Sequence, residues 1–212
     1  MDIIYMLFGA FFAPVIHEWT RAVTSTALGD RTPKEKGFKI FNPFKFFEPL
    51  GFFLILAFRF GWGNPVPTSP VYYKNRNRGI LLTNILPSFV NLLIGVLAIM
   101  LARAIDAPLS DWGAIQYLQG SIWGREFARG IIRSVFFFGS INIGLAFFNF
   151  IPVHPLDMHK IMLNFAGPDT VQRLNHYEKP MQVILILLLV FGLINWILGP
   201  IRDGIIFFIL GI

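Results

Sequence analysis

Three polar side chains fall within five residues near the end of the first apolar segment, in His17-Glu18-Trp19-Thr20-Arg21. Ionisable groups at membrane depth are costly, so by default they mark function. The pattern differs by one residue from H-E-x-x-H, in which two histidines one helical turn apart hold zinc. The glutamate between them is the general base toward the metal-bound water. Here Arg21 stands in place of the second histidine. A guanidinium has donors only and no acceptor lone pair, so it cannot ligate a metal. Helical geometry places His17 and Arg21 on one face, with Glu18 about 100° round.

A second polar interruption of apolar sequence runs from Asn149 through Pro152, His154, Pro155 and Asp157 to His159 and Lys160. Its two prolines open the backbone, and a short helix is expected from about Leu156. Asn84 and Asn91 are seven residues apart, as are Asn142 and Asn149. Such asparagines in apolar segments ordinarily hydrogen-bond between helices. His159 and His176 read as surface or interfacial histidines.

The elements that must position these groups follow from composition. Of 212 residues, 55% are hydrophobic and 14% charged, with a mean hydropathy of +0.61. A soluble domain carries about 25% charged residues, so the chain reads as an all-α polytopic membrane protein. Clear apolar runs cover 3–26, 80–105, 131–151 and 181–198, with weaker ones at 49–61, 155–166 and 204–212. A span needs about 20 apolar residues, so four to six spans are expected. The run at 49–61, which carries Arg59, reads as re-entrant or surface-lying. Gly61-Trp62-Gly63-Asn64-Pro65-Val66-Pro67 is incompatible with helix, and Gly199-Pro200 is expected to break the last strong span. Residues 106–130 read as a polar loop with interfacial Trp112 and Trp123.

The net charge of +6 would point to nucleic acid in a soluble protein. In a membrane protein it reads instead as basic loops at 30–48 and 62–79 facing the cytoplasm. The start lacks a basic n-region, so the first segment is expected to remain in the mature chain. The absence of cysteine excludes disulfides and thiolate metal sites. If the first segment runs outward-to-cytoplasm, the second returns and the third comes back in. His17 and Asp157 then lie toward the same side and can meet.

Several ordered motifs over residues 13–200 together resemble the site-2 protease family, the intramembrane zinc metalloproteases. His17-Glu18-Trp19-Thr20-Arg21 is similar to its H-E-x-x-H, lacking the second histidine. Gly29-Asp30, Phe41-Asn42-Pro43 and Glu48-Pro49-Leu50-Gly51 follow its G-D, L-N-P and D-P-x-G elements. Gly61 to Pro67 resembles G-W-x-x-P-V-P, and Asn149 to Asp157 resembles N-x-x-P-x-P-P-L-D, whose aspartate is the third zinc ligand. The resemblance implies His17 and Asp157 as metal ligands, Glu18 as catalytic base and Asn149 as a substrate-positioning residue. The departures cluster where chemistry would be. Arg21 replaces a ligand, and Phe46 stands where a histidine is expected. Pro87-Ser88 replaces a Gly-Pro ahead of Asn91, and Met158 and His159 replace the glycines after the aspartate.

Catalytic zinc takes three protein ligands and a water, and only His17 and Asp157 stand at matching positions. A guanidinium about 4 Å from Zn²⁺ would be repelled by about 8 kcal/mol at an effective dielectric of about 20. A complete structural zinc site contributes about 10–16 kcal/mol. His154 is a candidate replacement ligand, giving a His17–His154–Asp157 set. Alternatively the charge of Arg21 replaces that of the metal, pairing with Glu18 at i−3 and with Asp157 across the bundle.

The expectation is therefore a single membrane domain over 1–212 with no appended soluble domain. It would be a pseudoprotease without a cofactor, acting as a binding or structural subunit. Its partners would be lipid and other membrane subunits or a transmembrane helix, with no nucleic acid. The expected location is a cell membrane of prokaryotic type, with the site toward the cytoplasm. The alternative is an active zinc enzyme with the rewired ligand set, cleaving transmembrane substrates. A transporter has little support, because the polar residues converge on one site and line no path.

Overall fold

The computed structural model describes residues 2–111 and 122–211, and among them all regular structure is helical, with no strand. Ten helices follow one another. They are α1 (Ile3–Ala27), α2 (Thr32–Glu35), α3 (Pro43–Phe46), α4 (Pro49–Phe58), α5 (Arg76–Asp111), α6 (Ile122–Phe148), α7 (Asp157–Phe165), α8 (Pro168–His176), α9 (Glu178–Val190) and α10 (Leu193–Leu210). Four stretches are long and apolar enough to cross a membrane: Ile3–Ala27, Arg76–Asp106, Glu126–Phe148 and Leu193–Leu210. The chain is an all-α, multi-pass integral membrane protein.

Helices α1, α5 and α6 form the central three-helix packing. Small residues let α5 and α6 approach closely: a Cβ on Gly95 would lie 2.9 Å from the Gly139 carbonyl oxygen, and the reverse holds for Gly139. Such close approach is the usual basis of helix association in lipid. Asn91 Nδ2 joins all three helices, donating to Asn142 Oδ1 and to the Ala13 carbonyl, each at 3.1 Å. The interhelical bonding expected of these asparagines is thus in place for that pair.

Helix α4 has ten residues, about 15 Å of rise, or half of a bilayer core of about 30 Å. Its start is set by Pro49 at the first helical position and by the Glu48 carboxylate, which accepts the Gly51 N–H. Its end is a left-handed Arg59 at φ 67°, whose guanidinium lies 5.4 Å from the Phe137 ring centroid. The non-helical segment after it lies flat on α4. A Cβ on Gly51 would run into the Trp62 carbonyl oxygen, so only glycine fits there.

The last apolar run departs from expectation. The break falls at Gly192, which adopts φ 74°, and not at Gly199-Pro200, which lies inside α10. A proline in a membrane helix is tolerated where neighbouring groups satisfy the carbonyl it frees. A positive-φ glycine ends a helix directly. As a result 181–198 is divided, α9 with 13 residues is too short to cross, and the former tail completes α10. Helix also extends into the expected polar loop, to Asp111 and again from Ile122. Trp112 lies outside the described residues, as does the side chain of Trp123.

Gly51→Ala should lower stability by about 1–3 kcal/mol or more, the usual cost of forcing volume into a packed contact. Gly167→Ala, where a Cβ meets nothing within 4 Å, should be neutral. Thermal unfolding of the two variants in detergent measures the difference.

Candidate functional site

The later half of α1 buries His17, Glu18 and Arg21, at 3%, 5% and 1% exposure. Arg21 is the hub. Its Nε donates to Glu18 Oε2 at 2.9 Å and its Nη2 to Glu18 Oε1 at 3.1 Å, a bidentate pair within one turn. Nη2 also donates to Asp157 Oδ1 at 2.5 Å, and Nη1 to Asn84 Oδ1 at 2.6 Å. One side chain therefore holds α1, α5 and the N-terminus of α7 together.

Each carboxylate around it is shared with another donor. Glu18 Oε2 takes the Val66 N–H at 2.8 Å, which fixes the helix-incompatible segment alongside α1. Asp157 Oδ2 lies 2.9 Å from His17 Nε2, and Oδ1 accepts Lys160 Nζ at 3.2 Å. His17 Nδ1 is buried without a hydrogen-bond partner. Asn84 is fixed in turn, its Nδ2 donating to the Ile80 carbonyl at 2.7 Å. Two buried carboxylates face one guanidinium and the half-buried Lys160 ammonium, so their formal charges balance.

Zinc does not fit these residues. Both Asp157 oxygens and both Glu18 oxygens already accept hydrogen bonds, and the guanidinium touches both carboxylates. The cavity beside them, lined by Pro14, His17, Glu18, Trp62, Asn149 and Asp157 among others, holds about 20 Å³. That is room for about one water molecule. Phe46 is fully buried against Val15, Ala22 and Val66, so an apolar ring fills the position where the resemblance calls for histidine.

The other sequence candidates are placed as follows. Asn149 lines the same cavity, with its Nδ2 turned back to the Leu145 carbonyl at 2.9 Å. His154 is not brought to His17 and Asp157. Leu156, fully buried, anchors the loop to the core, and His154 faces the start of α9, its Nδ1 3.7 Å from Glu178 Oε1. The His17–His154–Asp157 ligand set is therefore not assembled. His159, expected at the surface, is 2% exposed, because α7 turns that face onto the His154–Glu178 side. Burial holds the His154 and His159 rings below the usual imidazole range, with Lys160 adding to it and Glu178 opposing. His176 is exposed, as expected.

Two features were missed from sequence. Asn84 is an Arg21 partner, a role that heptad spacing alone could not distinguish from helix–helix bonding. Asp30 organises the turn after α1. It accepts Ser25 Oγ at 2.8 Å, the Ser69 N–H at 2.7 Å and the Thr32 N–H at 2.9 Å. Burial opposes its ionisation, but these donors outweigh it and hold the carboxyl below its ordinary value. The basic segments on either side are thereby drawn to one end of the molecule. Beside them an open cleft of about 860 Å³ is lined by Arg76, Asn77, Asn84, Lys160, Asn164 and Gln172 among others.

Fold and centre together define a polytopic membrane protein with a buried arginine–carboxylate cluster built on the His17-Glu18-Trp19-Thr20-Arg21 stretch of α1. Compared with known proteins, the chain is 24% identical over 200 residues to Putative zinc metalloprotease YwhC of Bacillus subtilis (strain 168), covering 94% of this chain and 86% of that protein. No protein-family model matches the chain, and no solved structure matches it.

Arg21→Met would leave Glu18 and Asp157 buried without their counter-ion, and should cost about 3–5 kcal/mol. Arg21→Lys, which lacks the planar fork, should recover only part of that. Thermal unfolding in detergent reads both. Asp30 stabilises the fold above its ordinary value of 3.8, and that contribution fades as the pH falls through its lower folded value. Asp30→Asn should therefore flatten the loss of stability as the pH falls from about 3.8 toward that lower value.

Proposed function

We propose that this chain is a pseudoprotease of the site-2 protease type, a single membrane domain that binds or supports other subunits of a membrane assembly and does not hydrolyse peptides. One observation carries the reading: Arg21 occupies both carboxylates that zinc hydrolysis would require, Glu18 as base and Asp157 as ligand. A base whose two oxygens accept from a permanent cation and from a backbone amide is poorly placed to take a proton from water.

The binding role is supported by the cleft. Its amide side chains and two cations, Arg76 and Lys160, suit the carbonyls of an unwound or terminal segment of a partner's transmembrane helix. Asn84 lines that cleft and touches Arg21, and Lys160 lines it and touches Asp157, so an occupant would bear directly on the buried cluster. Exposed Arg31, Lys34, Lys36, Lys39, Lys74, Arg76 and Arg78 gather at the same end, which favours the cytoplasmic side for it. The name carried by the B. subtilis relative describes a zinc metalloprotease; as a pseudoprotease, this chain would keep such a scaffold without the reaction.

The test is cleavage of a model transmembrane substrate by the purified protein in vesicles. Wild type and Glu18→Ala should be indistinguishable. Cleavage by wild type that Glu18→Ala abolishes would overturn the proposal. Arg21→His, by removing the cation and adding a ligand atom, should increase zinc uptake beyond whatever wild type binds. No increase would mean that the loss of the metal site extends beyond that position.

A further inference from the structure

A second cluster of ligating side chains lies outside the Arg21 centre. His154 from the proline loop, His159 from α7 and Glu178 at the start of α9 each offer one ligand atom, all within 4.8 Å of one another. His154 Nδ1 and Glu178 Oε1 are 3.7 Å apart, and the two imidazole rings stand at 88° with centroids 5.8 Å apart. His159 is almost completely buried, and its Nε2 has no hydrogen-bond partner. A buried unpaired ring nitrogen requires an explanation, and an ion is one of the few available.

We propose that His154, His159 and Glu178 bind a divalent transition-metal ion of the zinc type. Two imidazoles and one carboxylate form a nitrogen–oxygen set that suits zinc, nickel or copper better than magnesium or calcium, which take oxygen ligands. Ligand bonds of about 2.0–2.2 Å place tetrahedral donors closer together than the spacings here. Binding therefore draws the three side chains inward by about 1 Å, within the reach of rotamer adjustment. Two of the three are accessible, with side-chain exposures of 29% for His154 and 38% for Glu178, so an ion can arrive from the surface. The nearby cation Lys160 is held by Asp157.

This site is separate from the Arg21 centre. Asp157 and His159 are two residues apart on one helix, about 200° round, so one faces Arg21 while the other faces α9. The ion would clip the loop that presents Asp157 to the first turn of α9, closing the segment that contains α8. Three protein donors leave the fourth position to water, but neither Glu18 nor another buried carboxylate lies in the cluster to serve as a base, so the role assigned to the ion is to join these segments.

The experiment is titration of the metal-stripped, full-length protein in detergent with Co²⁺, read by visible absorption, followed by competition with Zn²⁺. Wild type should take one equivalent with a tetrahedral-type spectrum. Glu178→Gln and His154→Ala, both at the accessible rim, should each weaken binding by at least about tenfold. His159→Ala should abolish binding, and the two rim variants keep the test valid if its burial makes that protein fail to fold. His17→Ala and His176→Ala should leave binding unchanged. Absence of uptake in wild type would overturn the proposal. So would binding that survives Glu178→Gln and His154→Ala, or binding lost in His17→Ala. Only binding lost in His17→Ala would bear on the Arg21 centre; under every other outcome the pseudoprotease reading stands or falls separately.

Discussion

The structure depends on one buried cation. Taking a guanidinium out of water costs several kcal/mol even after relaxation, and the same holds for each of the two carboxylates beside it. None of the three would be tolerated in that position alone. Together they account for one another: Arg21 gives three of its nitrogens to Glu18, Asp157 and Asn84. The contact between α1 and α7 is 136 residues apart in sequence. A metal ion would join these elements through its coordination bonds, and the planar fork joins them through hydrogen bonds.

Much of the surrounding architecture follows from feeding that cluster. The segment from Gly61 to Pro67 cannot be helical, and so it has free backbone N–H groups to give; Val66 gives its own to Glu18. That segment can lie where it does because Gly51 lets the Trp62 backbone reach α4. Asp157 arrives by way of an opened loop whose Leu156 is pinned in the core. The remaining cavity is then too small for a substrate carbonyl and a water together. Hydrogen-bond satisfaction, packing and the small size of the cavity are one set of contacts seen from three sides.

Outside the cluster, polar surface gathers at one end of the bundle. The amide-lined cleft touches the centre through Asn84 and Lys160. The histidine pair with Glu178 sits on the other face of α7. A short helix thus carries Asp157 and Lys160 on one side, bonded to each other, and the intervening His159 on the opposite side. That is what a period of about 3.6 residues does to closely spaced side chains.

The sequence alone determined the solvent and the period of this protein. Low charge and long apolar runs require membrane helices, and their lengths set which can cross. It also determined that position 21 cannot ligate a metal, because that follows from the chemistry of guanidinium. Helix punctuation was less legible. Gly192 and Gly199-Pro200 look alike as breakers, and only the backbone that each adopts distinguishes them. Tertiary structure decided the partners. Whether His154 turns to His17 or to Glu178 depends on which side of a buried Leu156 the loop passes, and spacing carries no information about that. The same is true of Asn84, whose partner lies 63 residues away. Local sequence fixes what a side chain can do; the chain's path through space fixes what it does it to.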